Sequence, residues 1–381
     1  MTDEGTSPGR TDASAALAAY AGYPDLTGVR RVLVIKLRHH GDVLLATPAI
    51  TTLARALPGA SIDAYLNRET LPMLDGHPDI DRFHLLDRSV RKRGRIAAWR
   101  EEWRLLRAIR SARYDMVVNL TDGDRGRYAA MASGAKIRVG YARRDRPGRG
   151  YTHLVKRPAT PRHMVEQNLD ALRRIGIVPD PENIGLSLSI PEAARQSVRA
   201  RLAAAGLRPG GFFLVHPASR WLFKCWPEAS VAALVRLIAQ AGWPVVLTAA
   251  PDQREMEMVA RIRDSVAPTS VLDLSGQLTL KELAALIDAA ACLFTVDSVP
   301  LHIASALQRP VVALYGPSSE VEWGPWRNPA ARVVTDDASC RPCGLDGCGG
   351  SKVSDCLTHI PVDRVLAAMA PLLATPPPAT T

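Results

Sequence analysis

The 381 residues, 47% of them hydrophobic, are enough chain for two cores of ordinary domain size. No apolar run approaches the length that crosses a bilayer, and Asp3 and Glu4 stand where a secretion signal would carry basic residues, so a cytoplasmic protein is expected. The net charge of +10 lies wholly in one half: residues 1–190 hold 31 Lys and Arg against 21 Asp and Glu, whereas residues 191–381 hold 17 of each.

Residues 1–27 lack a sustained apolar period and read as a loose tail. The first predicted strand, near 31–37, runs into Lys36-Leu37-Arg38-His39-His40-Gly41-Asp42 before a helix opens at Val43. Cations, two imidazoles and one carboxylate are packed into seven residues at the carboxyl end of a strand, where open α/β sheets bind ligands. Gly41 permits a tight turn, and Asp42 stands where a helix N-cap would, so a plain cap and a catalytic carboxylate are both open readings. Further strands are predicted near 61–66, 82–87, 115–120 and 137–141, with amphipathic stretches between them. The basic excess concentrates in Arg91-Lys92-Arg93-Gly94-Arg95 and in Arg143-Arg144-Asp145-Arg146 with Arg149. Nucleic acid, anionic headgroups and a phosphorylated glycolipid all satisfy such charge; Arg100, Arg104, Arg107 and Arg110 also fit a solvated helix face.

Pro181 and Pro191 bracket a hinge, which divides the chain into an N-terminal domain at 28–190 and a C-terminal domain at 191–374. The second half repeats the plan, with strands near 212–216, 244–249, 271–274, 291–296 and 310–315. The alternation of strand and helix implies βαβ units and parallel sheets. The apolar run Cys292–Val296 hands into Asp297-Ser298-Val299-Pro300-Leu301-His302, a helix start whose first amides suit a phosphate as well as an ordinary capped junction. Trp221, Trp226, Trp323 and Trp326 gather near loops of this half, fit to stack on an adenine or sugar or to pack those loops. Residues 375–381, with Pro376-Pro377-Pro378, form a second tail.

Together, the Lys36–Asp42 segment, His216-Pro217-Ala218-Ser219-Arg220-Trp221-Leu222-Phe223-Lys224-Cys225-Trp226-Pro227 and Asp297–His302 resemble glycosyltransferase family 9, the heptosyltransferases of lipopolysaccharide core assembly. The resemblance covers roughly residues 30–370 and is strongest to the heptosyltransferase III branch. It implies a GT-B architecture, two Rossmann-like domains facing across a cleft, with the acceptor in the first and ADP-heptose in the second. It implies Asp42 as general base and Lys224 as the cation on the donor phosphates. Ser219, Asp297, Ser298, Val299 and His302 would complete the donor site, with Asp252 (or neighbouring Glu255) on the ribose hydroxyls. Lys36, Arg38, His39 and His40 are candidate acceptor contacts, although His39 and His40 fit satisfied loop histidines equally well.

The implied chemistry is a single inverting displacement that needs no metal; Asp122-Gly123-Asp124 has the spacing of a metal-binding pair but lies in the acceptor half. The implied partners are ADP-heptose, a phosphorylated lipid A-core acceptor and, peripherally, the anionic inner face of the inner membrane. No nucleic-acid-binding motif accompanies the charge, so nucleic acid is not expected. Cys340-x2-Cys343-x4-Cys348-x7-Cys356 has the composition of a four-thiolate zinc or iron site, structural if formed; reduced free thiols are the alternative. Rival functions are transfer from another nucleotide sugar or to a protein, and a catalytically silent sugar-nucleotide sensor.

Overall fold

The computed structural model describes residues 22–141, 150–266 and 271–374; the basic run Arg143–Arg149, most of the N-terminal tail and the Pro376–Pro378 tail lie outside them. The first half runs β1 (Arg31–Lys36), α1 (His40–Leu44), α2 (Thr47–Ala56), β2 (Ser61–Asn67), β3 (Arg82–Leu86), α3 (Arg95–Ser111), β4 (Met116–Asn119), α4 (Asp124–Ser133), β5 (Ile137–Tyr141), β6 (His153–Val155) and α5 (Met164–Arg173). The second half runs α6 (Glu192–Ala204), β7 (Phe213–His216), α7 (Glu228–Gln240), β8 (Val245–Leu247), α8 (Gln253–Ser265), β9 (Val271–Asp273), α9 (Leu280–Ala289), β10 (Cys292–Val296) and α10 (Val299–Ala306). It closes with β11 (Val311–Tyr315), α11 (Glu320–Trp323), β12 (Ala331–Thr335), α12 (Asp355–Thr358) and α13 (Val362–Leu373).

The strands form two six-stranded sheets, ordered β3-β2-β1-β4-β5-β6 and β12-β11-β10-β7-β8-β9. Every pairing is parallel, and relabelling the second sheet from β7 gives the order of the first. The central strands are continuous apolar runs, as sheets covered on both faces require: Val32 to Ile35 in β1 and all of β10 are buried. In each sheet the strand order reverses at the centre, between β1 and β4 and between β7 and β10, which puts a crevice outside the carboxyl ends of those strands. All three motif segments lie there. The α/β class with two Rossmann-like sheets is as expected, and β6 and β12 are additional edge strands.

The halves meet through apolar packing. Val43 and Leu44 of α1 belong to one buried cluster with Leu301 and Ile303 of α10. Around its rim the Lys281 ammonium donates to the carbonyls of Asp75 (2.9 Å) and Ser189 (2.5 Å), and Trp326 Nε1 donates to Ile184 (2.6 Å). Ahead of β1, Leu26 packs against the same core, so residues just before 28 are anchored.

Candidate active site

In the first half, the Leu37 amide donates to Thr121 Oγ1 (2.8 Å) and Asn67 Nδ2 donates to the Arg38 carbonyl (3.1 Å), which ties the loop after β1 to the ends of β4 and β2. Helix α1 starts at His40 with His39 in the cap position, so Asp42 falls in the first turn and is not the N-cap. The cap reading of Asp42 is thereby corrected. Its carboxylate is almost buried, and Arg38 Nε approaches it at 3.4 Å. Lys36, read as an acceptor contact, instead points inward. Its ammonium donates to the Leu120 carbonyl and to Asn168 Oδ1, both at 3.0 Å, and burial pushes its pKa down to about 8. His40 Nε2 donates to the Glu69 carbonyl (2.8 Å), so this imidazole braces the loop, and burial lowers the pKa of both His39 and His40.

In the second half, the chain leaves β7 through His216, whose Nδ1 pairs with Thr248 Oγ1 at 3.0 Å. Ser219 is buried, and its hydroxyl accepts from the Trp221 amide (3.4 Å). The following 3-10 turn, Leu222–Lys224, delivers the Lys224 ammonium to Asp297 Oδ2 at 2.5 Å. Asp297 is held after β10 by its amide, which donates to the Leu314 carbonyl (3.2 Å). Ser298 is the cap residue of α10, and its hydroxyl turns back to the Val296 carbonyl (3.2 Å). The amides of the first turn of α10 therefore face the crevice without a side-chain cap, and an anion is what such a terminus accommodates. Asp252 caps α8 through the Arg254 amide (3.1 Å), while Glu255 is buried, accepts from the Ala250 amide (3.2 Å) and has its pKa raised by that burial. Both acids stand at the carboxyl end of β8 with local structural duties.

What joins the two loops is a contact absent from either motif. A Cβ on Gly41 would lie 2.7 Å from His302 Cδ2, so the first turn of α1 rests directly on the imidazole carried by α10. His302 is buried, with no partner for Nδ1. Burial pushes it down to about 4, while Asp297 and Asp42, from opposite halves, pull in the other direction. Arg220 Nη1 also reaches His39 Nδ1 across the cleft at 3.5 Å, and its Cζ lies 5.6 Å from the ring centroid of half-exposed Trp221. On the flank, His163 accepts the Val165 amide at Nδ1 (3.2 Å), donates from Nε2 to the Gly324 carbonyl (3.0 Å) and stacks on Trp326 (4.5 Å). The structure thus gathers Asp42, Lys224, Asp297, Ser298 and His302 and withdraws Lys36. Of the tryptophans, Trp226 is fully buried with Nε1 on the Ile360 carbonyl (3.1 Å), a packing role.

A cavity of 430 Å³ opens at the carboxyl ends of β1, β2 and β4, lined by Leu37, Asn67, Thr121, Arg88, Arg91 and Arg125 among others. These arginines were not singled out individually by sequence reasoning, although Arg88 lies two residues past the end of β3 and Arg125 in the first turn of α4. Asp122, of the Asp122-Gly123-Asp124 spacing, pairs with Arg157 at 2.8 Å.

The cysteine loop places its thiols unequally. Cys340 and Cys343 are exposed while Cys356 is buried on α12, and its thiol is pushed up to about 11 by that burial. All six cysteines are free, and among the described residues no group of three or more His, Cys, Asp or Glu is placed to hold a metal. The zinc or iron reading of Cys340, Cys343, Cys348 and Cys356 is not shown by this arrangement, although the thiols of Cys348, Cys343 and Cys340 all act electrostatically on Cys356. Among the described residues no helix is long and apolar enough to cross a membrane.

The sequence model of glycosyltransferase family 9 (heptosyltransferase) matches residues 102–352. Lipopolysaccharide heptosyltransferase 3 of Escherichia coli is 32% identical over 297 residues, which span 77% of this chain and 85% of that protein. A glycosyl transferase family 9 structure from Veillonella parvula DSM 2008 superposes with a TM-score of 0.78 at 25% identity, covering 92% of this chain and 99% of that one. The ADP-heptose lps heptosyltransferase II of E. coli shares the fold, with a TM-score of 0.71 at 23% identity over 90% and 98% of the two chains.

Proposed function

The chain belongs to glycosyltransferase family 9, the heptosyltransferases, and from that premise we propose that it transfers heptose from ADP-heptose to a phosphorylated lipid A-core acceptor of lipopolysaccharide. The observation that carries the reading is the seating of Gly41 on His302, which holds the Asp42 loop of one sheet against the Lys224–Asp297 loop of the other. The heptosyltransferase names of the relatives supply the sugar, and the name of heptosyltransferase II supplies its ADP carrier. Residues 28–190 are taken as the acceptor domain, because the basic excess and the arginine-lined cavity lie there; residues 191–374 are taken as the donor domain.

In this proposal the ADP diphosphate sits at the first turn of α10, beside Ser298 and Val299, and displaces the Lys224 ammonium from Asp297 toward its oxygens. Ser219 and His302 shape the walls, and Asp252 or Glu255 meets the ribose at the end of β8. The acceptor hydroxyl oxygen attacks the anomeric carbon as the bond from that carbon to the phosphate oxygen breaks, with inversion. The hydroxyl proton passes to Asp42, a sufficient base because the hydroxyl acidifies as the new bond forms. The charge growing on ADP is met by Lys224 and the helix amides, so the route needs no divalent cation. Arg38 and His39 are the acceptor contacts retained from the first loop. The proposed place of work is the cytoplasmic face of the inner membrane, where a lipid-anchored acceptor would present its core.

Two variants test the assignment. Asp42→Asn should lower kcat by about 10²-fold or more with the affinity for ADP-heptose unchanged, the range of a lost general base. Lys224→Ala should weaken both donor binding and turnover. Steady-state kinetics with calorimetric donor titration checks both; near-normal turnover of Asp42→Asn removes it as the base, and unaltered donor affinity and rate in Lys224→Ala remove that residue from the site.

A further inference from the structure

We propose that α3, with the 3-10 turn Arg88–Arg93 before it, is the surface by which this protein docks on an anionic bilayer. The inference rests on the membrane part of the proposed function and not on the transfer chemistry. Leu105 and Ile109 fix the inner face of α3, since both are buried against the first sheet. Its outer face should then be polar, but Ile96, Trp99 and Trp103 stand there at 72%, 62% and 50% exposure, spaced i, i+3 and i+7 along one stripe. The two indoles meet edge to face at 5.7 Å and form a single apolar ridge.

Cations frame that ridge. Arg91, Lys92, Arg93 and Arg95 precede it, and Arg100, Arg104 and Arg107 interleave with it, all exposed. The only acids on the helix, Glu101 and Glu102, are engaged by Arg104 (2.7 Å) and Arg125 (2.8 Å). A ridge of tryptophan and isoleucine among arginines is what lies in a headgroup layer: indoles favour the interface, guanidinium groups reach the lipid phosphates, and each basic residue adds attraction to anionic lipid. Trp99 and Trp103 share a shallow hollow of this face with Arg100, Arg104 and Arg107, so apolar and cationic groups meet on one open surface, the mixture that an anionic headgroup layer accepts. Its position also fits. Arg91 of the adjoining turn lines the cavity at the carboxyl ends of β1, β2 and β4, so a bilayer on α3 would present a lipid-anchored acceptor at that mouth.

Co-sedimentation of the full-length protein with phosphatidylcholine vesicles, with and without phosphatidylglycerol, tests the surface. The wild type should bind the anionic vesicles and leave the neutral ones. Trp99→Ser/Trp103→Ser and, separately, Arg100→Ser/Arg107→Ser should each weaken binding by about tenfold or more, with circular dichroism unchanged. With a delipidated, water-soluble core acceptor both variants should keep wild-type turnover, and with vesicle-embedded acceptor they should lose it. Wild-type absence from anionic vesicles, or undiminished binding by both variants, overturns the proposal. Self-association or oligonucleotide binding that is abolished by the tryptophan variant, without vesicle binding, would reassign the ridge and overturn it equally. Vesicle binding without any transfer would leave the surface standing and fell the transfer reading instead.

Discussion

A methyl group on Gly41 would press against the His302 ring at 2.7 Å, in a buried place where neither partner has room to retreat. Gly41→Ala should therefore spread the two loops and cut kcat/KM at least about tenfold, since small misplacements at a reacting centre are costly. His302→Ala in the same chain should leave the added methyl without further effect; additive losses in the double-mutant cycle would contradict the contact. A second prediction concerns protons. His216 and His302 are neutral in the fold, with values pushed by burial from an ordinary 6.5 down to about 4. Between those values the unfolded chain binds protons that the native chain does not, so their contribution to stability is present above pH 6.5 and lost as pH falls toward 4. Thermal melts across that window should show Tm falling with pH, and His216→Asn should flatten the slope; an equal slope would remove His216 as a source. At this scale the sequence singled out Asp42 and Asp297 because they follow apolar strands, and Lys224 through the family resemblance; the structure brings Lys224 onto Asp297. The sequence did not disclose the inward turn of Lys36 or the Gly41–His302 contact, which depend on what the other half of the chain brings near.

Strands were legible where both faces are covered. β1, β7, β10 and β11 are uninterrupted apolar runs, and their predicted positions agree to within a residue or so. β6 and β12 are edge strands with partly exposed faces, His153 and Arg332 among them, so no apolar run announces them. Helix starts are written in shorter code. Thr279 and Glu282 form a capping box at α9, each satisfying the other's backbone amide. Thr279→Ala should cost about 1 kcal/mol of stability, read as a lowered denaturant midpoint at unchanged slope. No loss there would mean that packing of α9 against α6 carries the element alone. The start of α1 was misread because Asp42 resembles a cap, whereas extended His39 occupies that position without a side-chain capping bond. For the cysteine loop, spacing says how far apart thiols lie along the chain, and burial of Cys356 beside exposed Cys340 and Cys343 is a feature that spacing does not carry.

Across the whole molecule, two sheets of the same strand order face one another, and each presents its switch point to the common cleft. The proposed division of labour follows the charge: the basic half would meet an anionic, lipid-borne acceptor, and the neutral half, with its uncapped helix start and Lys224, would hold the nucleotide. The two-domain plan was legible from composition and alternation alone. The sign of the charge pointed to a polyanion without naming it, and the family supplied the rest. The central claim is the reaction, and the direct measurement is ADP release from ADP-heptose by the purified protein, with and without a heptose-containing core acceptor, followed by mass analysis of the glycolipid. The account predicts release that depends on the acceptor and a product heavier by one heptose. Donor binding with no release and no mass change on that acceptor would contradict it.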